Sequence, residues 1–149
     1  MDHALAVVGS TETAKRLVRE AGELAAGVDA ELTLLHVTDE EEYAEEREQL
    51  ASVTSGEVSY SSGQAKDGAR NYAADVGRAV LDDVDVSYDA AGRLGEFADV
   101  VLEEIDRTDV DHVFLTGPKR SPAGKALFGD DTQRIVLDSP VPVTVVTEE

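Results

Sequence analysis

Short apolar runs alternate with segments of helical periodicity along most of the chain. Four apolar runs have the length of a strand, and a fifth segment alternates apolar and polar positions; the five are residues 4–8, 32–37, 84–90 (the alternating one), 112–116 and 141–146. Helical spacing of apolar residues covers 14–28, 69–80, 94–105 and a short stretch at 132–137. The pattern therefore predicts five strands that alternate with helices.

Strands that alternate with helices form parallel βαβ units. We therefore expect an α/β fold with an open, doubly wound, five-stranded parallel sheet and helices on both faces. Strands 1, 2 and 4 are apolar throughout and belong in its centre. Strand 3 has polar residues on one face, and strand 5 contains Pro142, so both suit an edge. The order 3-2-1-4-5 with right-handed crossovers satisfies these preferences.

The predicted sheet reverses its winding between strands 1 and 4. Ligands of open α/β sheets bind outside the carboxyl ends of the strands at such a switch point. The loops there begin at Gly9 and at Gly117, and the second leads into the segment 116–134 (TGPKRSPAGKALFGDDTQR). Four of the chain's 13 Lys and Arg residues lie in this segment, together with three glycines. It has the composition of an anion-binding loop.

The loop offers an anion both backbone and side-chain groups. Glycines let the backbone approach a ligand closely, and they stand at Gly117, Gly124 and Gly129. Side chains that can pair with phosphate oxygens are Lys119, Arg120, Ser121 and Lys125. The segment is not a GxxxxGK[ST] loop, because six residues separate its first two glycines.

Two carboxylates favour the opposite interpretation. Asp130 and Gln133 have the spacing of a capping box, so Asp130 is expected to cap the following helix in the place of a phosphate. The basic loop would then neutralise Asp130 and Asp131 and bind nothing. The residues alone leave both interpretations open.

The composition indicates one acidic globular domain over residues 1–149. The chain has 32 acidic and 13 basic residues, a net charge of −19 and a hydrophobic fraction of 42%. This charge repels nucleic acid and anionic lipid, and it fits a salt-loving organism, because salt screens the repulsion. No apolar run has the length of a membrane span, and the first residues are not signal-like, so we expect a cytoplasmic protein. Residues 38–64 are expected to form an acidic, mobile surface connection.

The sequence favours binding or regulation over catalysis. It has no Cys, and His3, His36 and His112 lack metal-ligand spacing, so no metal site is expected. No His or carboxylate pair is visibly placed as a base beside a nucleophile. Weak hydrolase activity is the minor alternative.

The order of the elements and the segment 113–146 resemble the universal stress protein family. Nucleotide-binding members of that family carry a G-x2-G-x9-G-[ST] motif after the fourth strand. Gly117 matches its first glycine and Gly129 its last, with one residue fewer between them. Arg120 replaces the middle glycine, and Asp130 replaces the Ser or Thr.

The resemblance implies a bound nucleotide such as ATP, with Mg²⁺ accompanying its phosphates. The family usually has Asp before Gly-Ser after strand 1, whereas this chain has Val8 before Gly9 and Ser10. Val37 matches a position whose backbone commonly meets the adenine. The implied site residues are Val8, Gly9, Ser10, Val37, Gly117, Lys119, Arg120, Ser121, Gly124, Gly129, Asp130 and Asp131.

The resemblance also implies a homodimer. The run from Val141 to Val146 (VPVTVV) resembles the family's fifth strand, which commonly forms the dimer contact, and an apolar edge strand is normally paired. The alternative function is a dimeric interaction module that binds no nucleotide and presents a surface to a protein partner. The altered motif positions Val8 and Asp130 favour this alternative.

Overall fold

The computed structural model describes residues 1–9, 12–39, 62–117 and 129–147. Within these ranges the chain alternates five strands with four helices: β1 (His3–Val7), α1 (Glu12–Gly27), β2 (Glu31–Thr38), α2 (Ser62–Val80), β3 (Tyr88–Leu94), α3 (Phe97–Arg107), β4 (His112–Thr116), α4 (Asp130–Asp138) and β5 (Val143–Val146). All strand pairs are parallel, and the order is β3-β2-β1-β4-β5. The predicted fold class and strand order are confirmed.

The sheet carries a hydrophobic layer on each face, because its central strands are apolar at nearly every position. In β1, Ala4 and Ala6 belong to one core cluster, while Leu5 and Val7 belong to the other. Helices α1 and α2 supply the first cluster, and α3 and α4 supply the second. The helices therefore cover both faces, as the sequence pattern predicts.

Strand β3 begins four residues later than the alternating pattern predicts, at Tyr88 rather than Val84. The backbone before it forms local bonds instead of a ladder: Val84 N–H donates to Leu81 O at 3.1 Å, and Val86 N–H donates to Val84 O at 3.0 Å. Val84 and Val86 still pack against the core. The alternation of apolar and polar residues in this stretch therefore comes from packing against the core. Pairing with β2 starts only at Tyr88.

The other boundaries differ from the predictions by a few residues. Helix α2 begins at Ser62, so residues 62–64 of the predicted mobile connection are helical, and 40–61 lie outside the described residues. Strand β5 begins at Val143, after Pro142, whose carbonyl accepts from Val113 N–H at 3.0 Å. No helix in the described ranges combines the length and the apolar character that a membrane span requires.

Helix α2 lies close against β3 at Gly92. A Cβ at this position would collide with the carbonyl oxygen of Lys66 and the amide nitrogen of Arg70, which are backbone atoms of α2. Gly92 also pairs in register with His36 of β2. The missing side chain of Gly92 therefore sets how closely α2 approaches the sheet.

Gly92→Ala is expected to destabilise the fold by about 1–3 kcal/mol, because the added methyl must push α2 away from the sheet. Urea unfolding followed by circular dichroism measures the change. Gly27→Ala is the control, since a Cβ at Gly27, the last residue of α1, meets nothing within 4 Å. Equal midpoints for Gly92→Ala and the wild type would show that the contact is not tight.

Candidate functional site

A cavity of about 630 Å³ opens at the carboxyl ends of β1 and β4. Beyond Ala6 and Phe114, the last residues that pair these strands, their chains run on into the loops of the switch point. The wall is built from β1, β4 and the starts of α3 and α4, with one residue that follows β2. The lining residues are Val7, Gly9, Asp39, Phe97, Leu115, Thr116, Gly129, Asp130, Asp131 and Thr132.

The structure brings four of the sequence-predicted site residues together in this wall, namely Gly9, Gly129, Asp130 and Asp131. Three others are described but do not line it. The side chains of Val8 and Val37 are buried in the core clusters on opposite faces of the sheet, and Gly117 donates its N–H to Val146 O at 2.8 Å, beside β5. Ser10, Lys119, Arg120, Ser121 and Gly124 lie outside the described residues.

Sequence reasoning missed several lining residues. Thr116 ends β4, and Asp39 directly follows β2, so their positions at carboxyl ends of strands were a usable signal. Phe97 gave no comparable signal. It begins α3 after a turn at Gly95, which has a φ of +149°, a value that side chains rarely tolerate.

Helix α4 begins at the cavity without a side-chain cap. Its N-cap residue is Gly129, and Gln133 N–H donates to Gly129 O at 2.9 Å. The predicted capping box is therefore wrong: Asp130 is the first helical residue and not the cap. Gly129 has no side chain that could accept from the first-turn amides, so no cap side chain offsets the positive end of the dipole of α4, and only Asp130 and Asp131 in the first turn do so in part.

Asp131 faces another carboxylate across the start of α3. Glu96 caps α3 by accepting from Ala98 N–H at 3.4 Å and from Asp99 N–H at 2.9 Å. Partial desolvation beside the cavity, then the neighbouring Glu96 carboxylate, raise the pKa of Asp131 above its ordinary value. The neutral form of Asp131 is therefore favoured more than in an isolated aspartate.

Arg134 is the one basic residue of the segment 116–134 that falls within the described residues. Its guanidinium lies 3.4 Å from Glu96 and also pairs with Asp99, so it joins α4 to the start of α3. Its Nε also lies 3.9 Å from Asp138 in its own helix. Arg134 therefore fastens two helices together, and it does not line the cavity.

Two of the three histidines lie at the opposite end of the sheet from the cavity. Nε2 of His3 lies 2.7 Å from Oγ1 of Thr33, and its Nδ1 lies 2.6 Å from a carboxylate oxygen of Asp109. Nε2 of His112 lies 2.7 Å from Oγ1 of Thr144, and burial lowers the pKa of His112. Neither ring is placed to act as a base in the cavity.

The fold and the cavity define a doubly wound α/β protein with a ligand-sized site at its switch point. The sequence matches the model of the universal stress protein family over residues 1–147, and the chain belongs to this family. No protein of curated function matches the sequence.

Three solved structures show the same fold. UspA from Lactobacillus plantarum is 18% identical with a TM-score of 0.69, over 97% of both chains. A universal stress protein in complex with cAMP is 15% identical with a TM-score of 0.63, over 98% of this chain and 96% of that one. A universal stress protein from Archaeoglobus fulgidus in complex with dAMP is 16% identical with a TM-score of 0.59, over 98% and 97%.

Asp131→Asn is expected to stabilise the protein at pH 7. The raised pKa means that this carboxyl stabilises the fold best when protonated, and that this contribution is lost as the pH rises through the raised pKa. An amide stays neutral and removes the repulsion with Glu96, so the melting temperature should rise by about 1–3 °C. Calorimetry should show the gain shrinking as the pH falls from 7 towards 4.

Asp106→Asn is the matched control, because it removes one charge from an exposed position of α3. Equal gains for the two variants, or a gain for Asp131→Asn that grows on acidification, would contradict the raised pKa of Asp131.

Proposed function

We propose that this protein is a regulatory universal stress protein that binds an adenine nucleotide at the switch point between β1 and β4. The observation that carries the proposal is the cavity of about 630 Å³, a volume typical of sites for small ligands. The relatives in complex with cAMP and with dAMP support it, since both ligands combine an adenine base with one phosphate. Binding and signalling, rather than turnover, would be its role.

The lining suits the two ends of such a ligand. Val7, Phe97 and Leu115 offer apolar surface for a flat base. The hydroxyls of Thr116 and Thr132 can bond to ribose or phosphate oxygens. The start of α4 favours a phosphate, because the amides of a first helical turn and the helix dipole both attract anions.

Charge limits which nucleotide fits best. Asp39, Asp130 and Asp131 all line the cavity, and each repels phosphate. We therefore propose that a monophosphate binds better than ATP. The positive charges of Lys119 and Arg120 would offset part of this repulsion. Ser10, Ser121 and Gly124 of the implied loop would offer a ligand neutral groups.

Mg²⁺ belongs to this proposal only together with a nucleotide. Carboxylate oxygens suit Mg²⁺ chemically, but the described residues contain no group of three or more acidic or imidazole side chains arranged to hold a metal. The phosphates of ATP would have to supply most of its ligands. Mg²⁺ would then offset the charge that ATP adds.

Isothermal calorimetry in high salt with AMP, ADP and ATP, each with and without Mg²⁺, tests the proposal. We expect AMP to bind and to raise the melting temperature, and Mg²⁺ to improve the binding of ATP. Asp130→Asn should strengthen AMP binding about three- to tenfold by removing a repulsive charge, roughly 0.6–1.4 kcal/mol. Asp106→Asn should leave it unchanged. The absence of both heat and thermal stabilisation with every nucleotide would rule out the site.

The second candidate is a dimeric interaction module that binds no nucleotide. The three carboxylates of the cavity favour it, and so does an apolar surface on α4, where Leu137 is 72% and Val136 41% exposed. Such side chains on a helix beside the cavity suit contact with a protein partner. In either case we propose that the protein is a homodimer through the run from Val141 to Val146.

The free edge of β5 makes the dimer testable. The carbonyl of Pro142 accepts from Val113 of β4 and that of Val146 from Gly117, which follows β4, so by alternation the polar backbone groups of Val143 and Val145 point to the outer edge. Val145→Pro removes an outward donor without removing a bond to β4. Light scattering in high salt should find a wild-type dimer and a monomeric Val145→Pro.

Val145→Thr keeps the N–H and should stay dimeric. A monomeric wild type, or a Val145→Pro that is folded and still dimeric, would contradict pairing through β5.

A further inference from the structure

Strand β1 leaves the sheet at Val8. Its N–H still donates to Leu35 O in β2 at 2.7 Å, but its carbonyl accepts from a side chain, Nδ1 of His36, at 2.7 Å. A carbonyl oxygen can only accept, so Nδ1 carries the proton. The ring of His36 therefore anchors the first peptide of the loop.

Tyr72 of α2 holds the next peptide. Its hydroxyl donates to Gly9 O at 2.9 Å. The rings of His36 and Tyr72 lie against each other, with centroids 4.5 Å apart and planes inclined at 52°. We call this arrangement the Gly9 clasp: two rings in contact, His36 and Tyr72, that bind the consecutive carbonyls of Val8 and Gly9.

The clasp acts on a residue with little side-chain packing around it among the described residues. A Cβ at Gly9 would meet no atom within 4 Å, and glycine has the widest backbone freedom of any residue. Gly9 nevertheless forms part of the cavity wall. Because a peptide is planar and trans, fixing the Val8 carbonyl towards His36 turns the Gly9 N–H away from that ring.

The position of Tyr72 follows from the packing of α2. Gly92 allows α2 to approach β3 closely, and it pairs in register with His36. Tyr72 lies on the same helix, beyond the Lys66 and Arg70 backbone atoms that face Gly92. The depth of α2 on the sheet therefore sets where the tyrosine hydroxyl meets the loop.

We infer that His36 and Tyr72 are positioning residues of the switch-point cavity, which fix the backbone at Gly9 before a ligand enters. The effect on a ligand rests on the proposed nucleotide function, whereas the effect on the loop rests on the contacts alone. A rigid wall lowers the ordering cost of binding.

Tyr72→Phe tests the inference, because it removes the hydroxyl and keeps the ring against His36. In the ligand-free protein, hydrogen exchange followed by NMR should show faster exchange of the Val8 amide, by about three- to tenfold, because loss of the Tyr72–Gly9 bond loosens the adjacent peptide and lets the bond from Val8 N–H to Leu35 O open more often. Tyr88→Phe, at the opposite end of the sheet, is the control and should leave this rate unchanged. An unchanged rate in Tyr72→Phe would overturn the inference.

The nitrogen shifts of His36 provide a second measurement. We expect the neutral ring to carry its proton on Nδ1, both in the wild type and in Tyr72→Phe, since the bond to Val8 O remains. A ring protonated on Nε2 alone would overturn the clasp.

Titration with AMP separates the inference from the proposed function. Affinity should fall about three- to tenfold in Tyr72→Phe and stay constant in Tyr88→Phe. Equal affinity of Tyr72→Phe and the wild type would overturn the positioning role. If AMP does not bind the wild type, the proposed function fails, and the exchange rate and the His36 tautomer still decide whether the clasp exists.

Discussion

Strand β1 is the element on which the rest of the structure depends. It pairs with β2 on one side and with β4 on the other, and its side chains enter both core clusters in alternation. Because β1 is covered on both faces and paired along both edges, the chain can turn out of the sheet only after the carboxyl end of the strand. There the chain has to turn out of the sheet beside the end of β4, and the space between the two exits is the cavity.

Ion pairs show where this acidic chain uses its few arginines. Arg93 at the end of β3 and Arg107 of α3 both pair with Glu104, which is only 3% exposed, and Arg93 also lies 3.0 Å from Glu103. A buried carboxylate needs such partners, because removing them would leave an uncompensated charge. Arg134 likewise joins α4 to α3. These cations stabilise the framework and are not placed to neutralise a ligand.

The sequence predicted those parts of the fold that depend on burial alone. The apolar runs of β1, β2 and β4 located the centre of the sheet, and the switch point followed from the strand order. Prediction from the sequence was weaker where the same local pattern is compatible with two different structures. The alternation at Val84 and Val86 comes from packing without strand pairing, and the apparent capping box at Asp130 failed because Gly129 takes the cap position.

The site itself was only partly predictable, because it joins residues that are distant in sequence. Gly9 and Asp130 could be placed from glycine positions and strand ends. The hydrogen bond between Tyr72 and Gly9 joins residues 63 positions apart, and the pattern of apolar residues in the sequence does not predict it. Contacts of this kind depend on how closely a helix packs, which Gly92 sets through the absence of a side chain.

The two walls of the cavity would act on a bound nucleotide of the proposed kind by different physical means. At Gly9 the wall is neutral backbone held by hydrogen bonds, so it can select by shape. At α4 the helix dipole attracts an anion by about 0.3–1 kcal/mol, but Asp130 and Asp131 in the first turn already use that attraction. A phosphate at α4 must therefore compete with these carboxylates, and each further phosphate adds repulsion while the dipole gives no further gain. The charges at α4 would then select between nucleotides by the number of their phosphates. The rigid wall at Gly9 would select between them by the shape of the base.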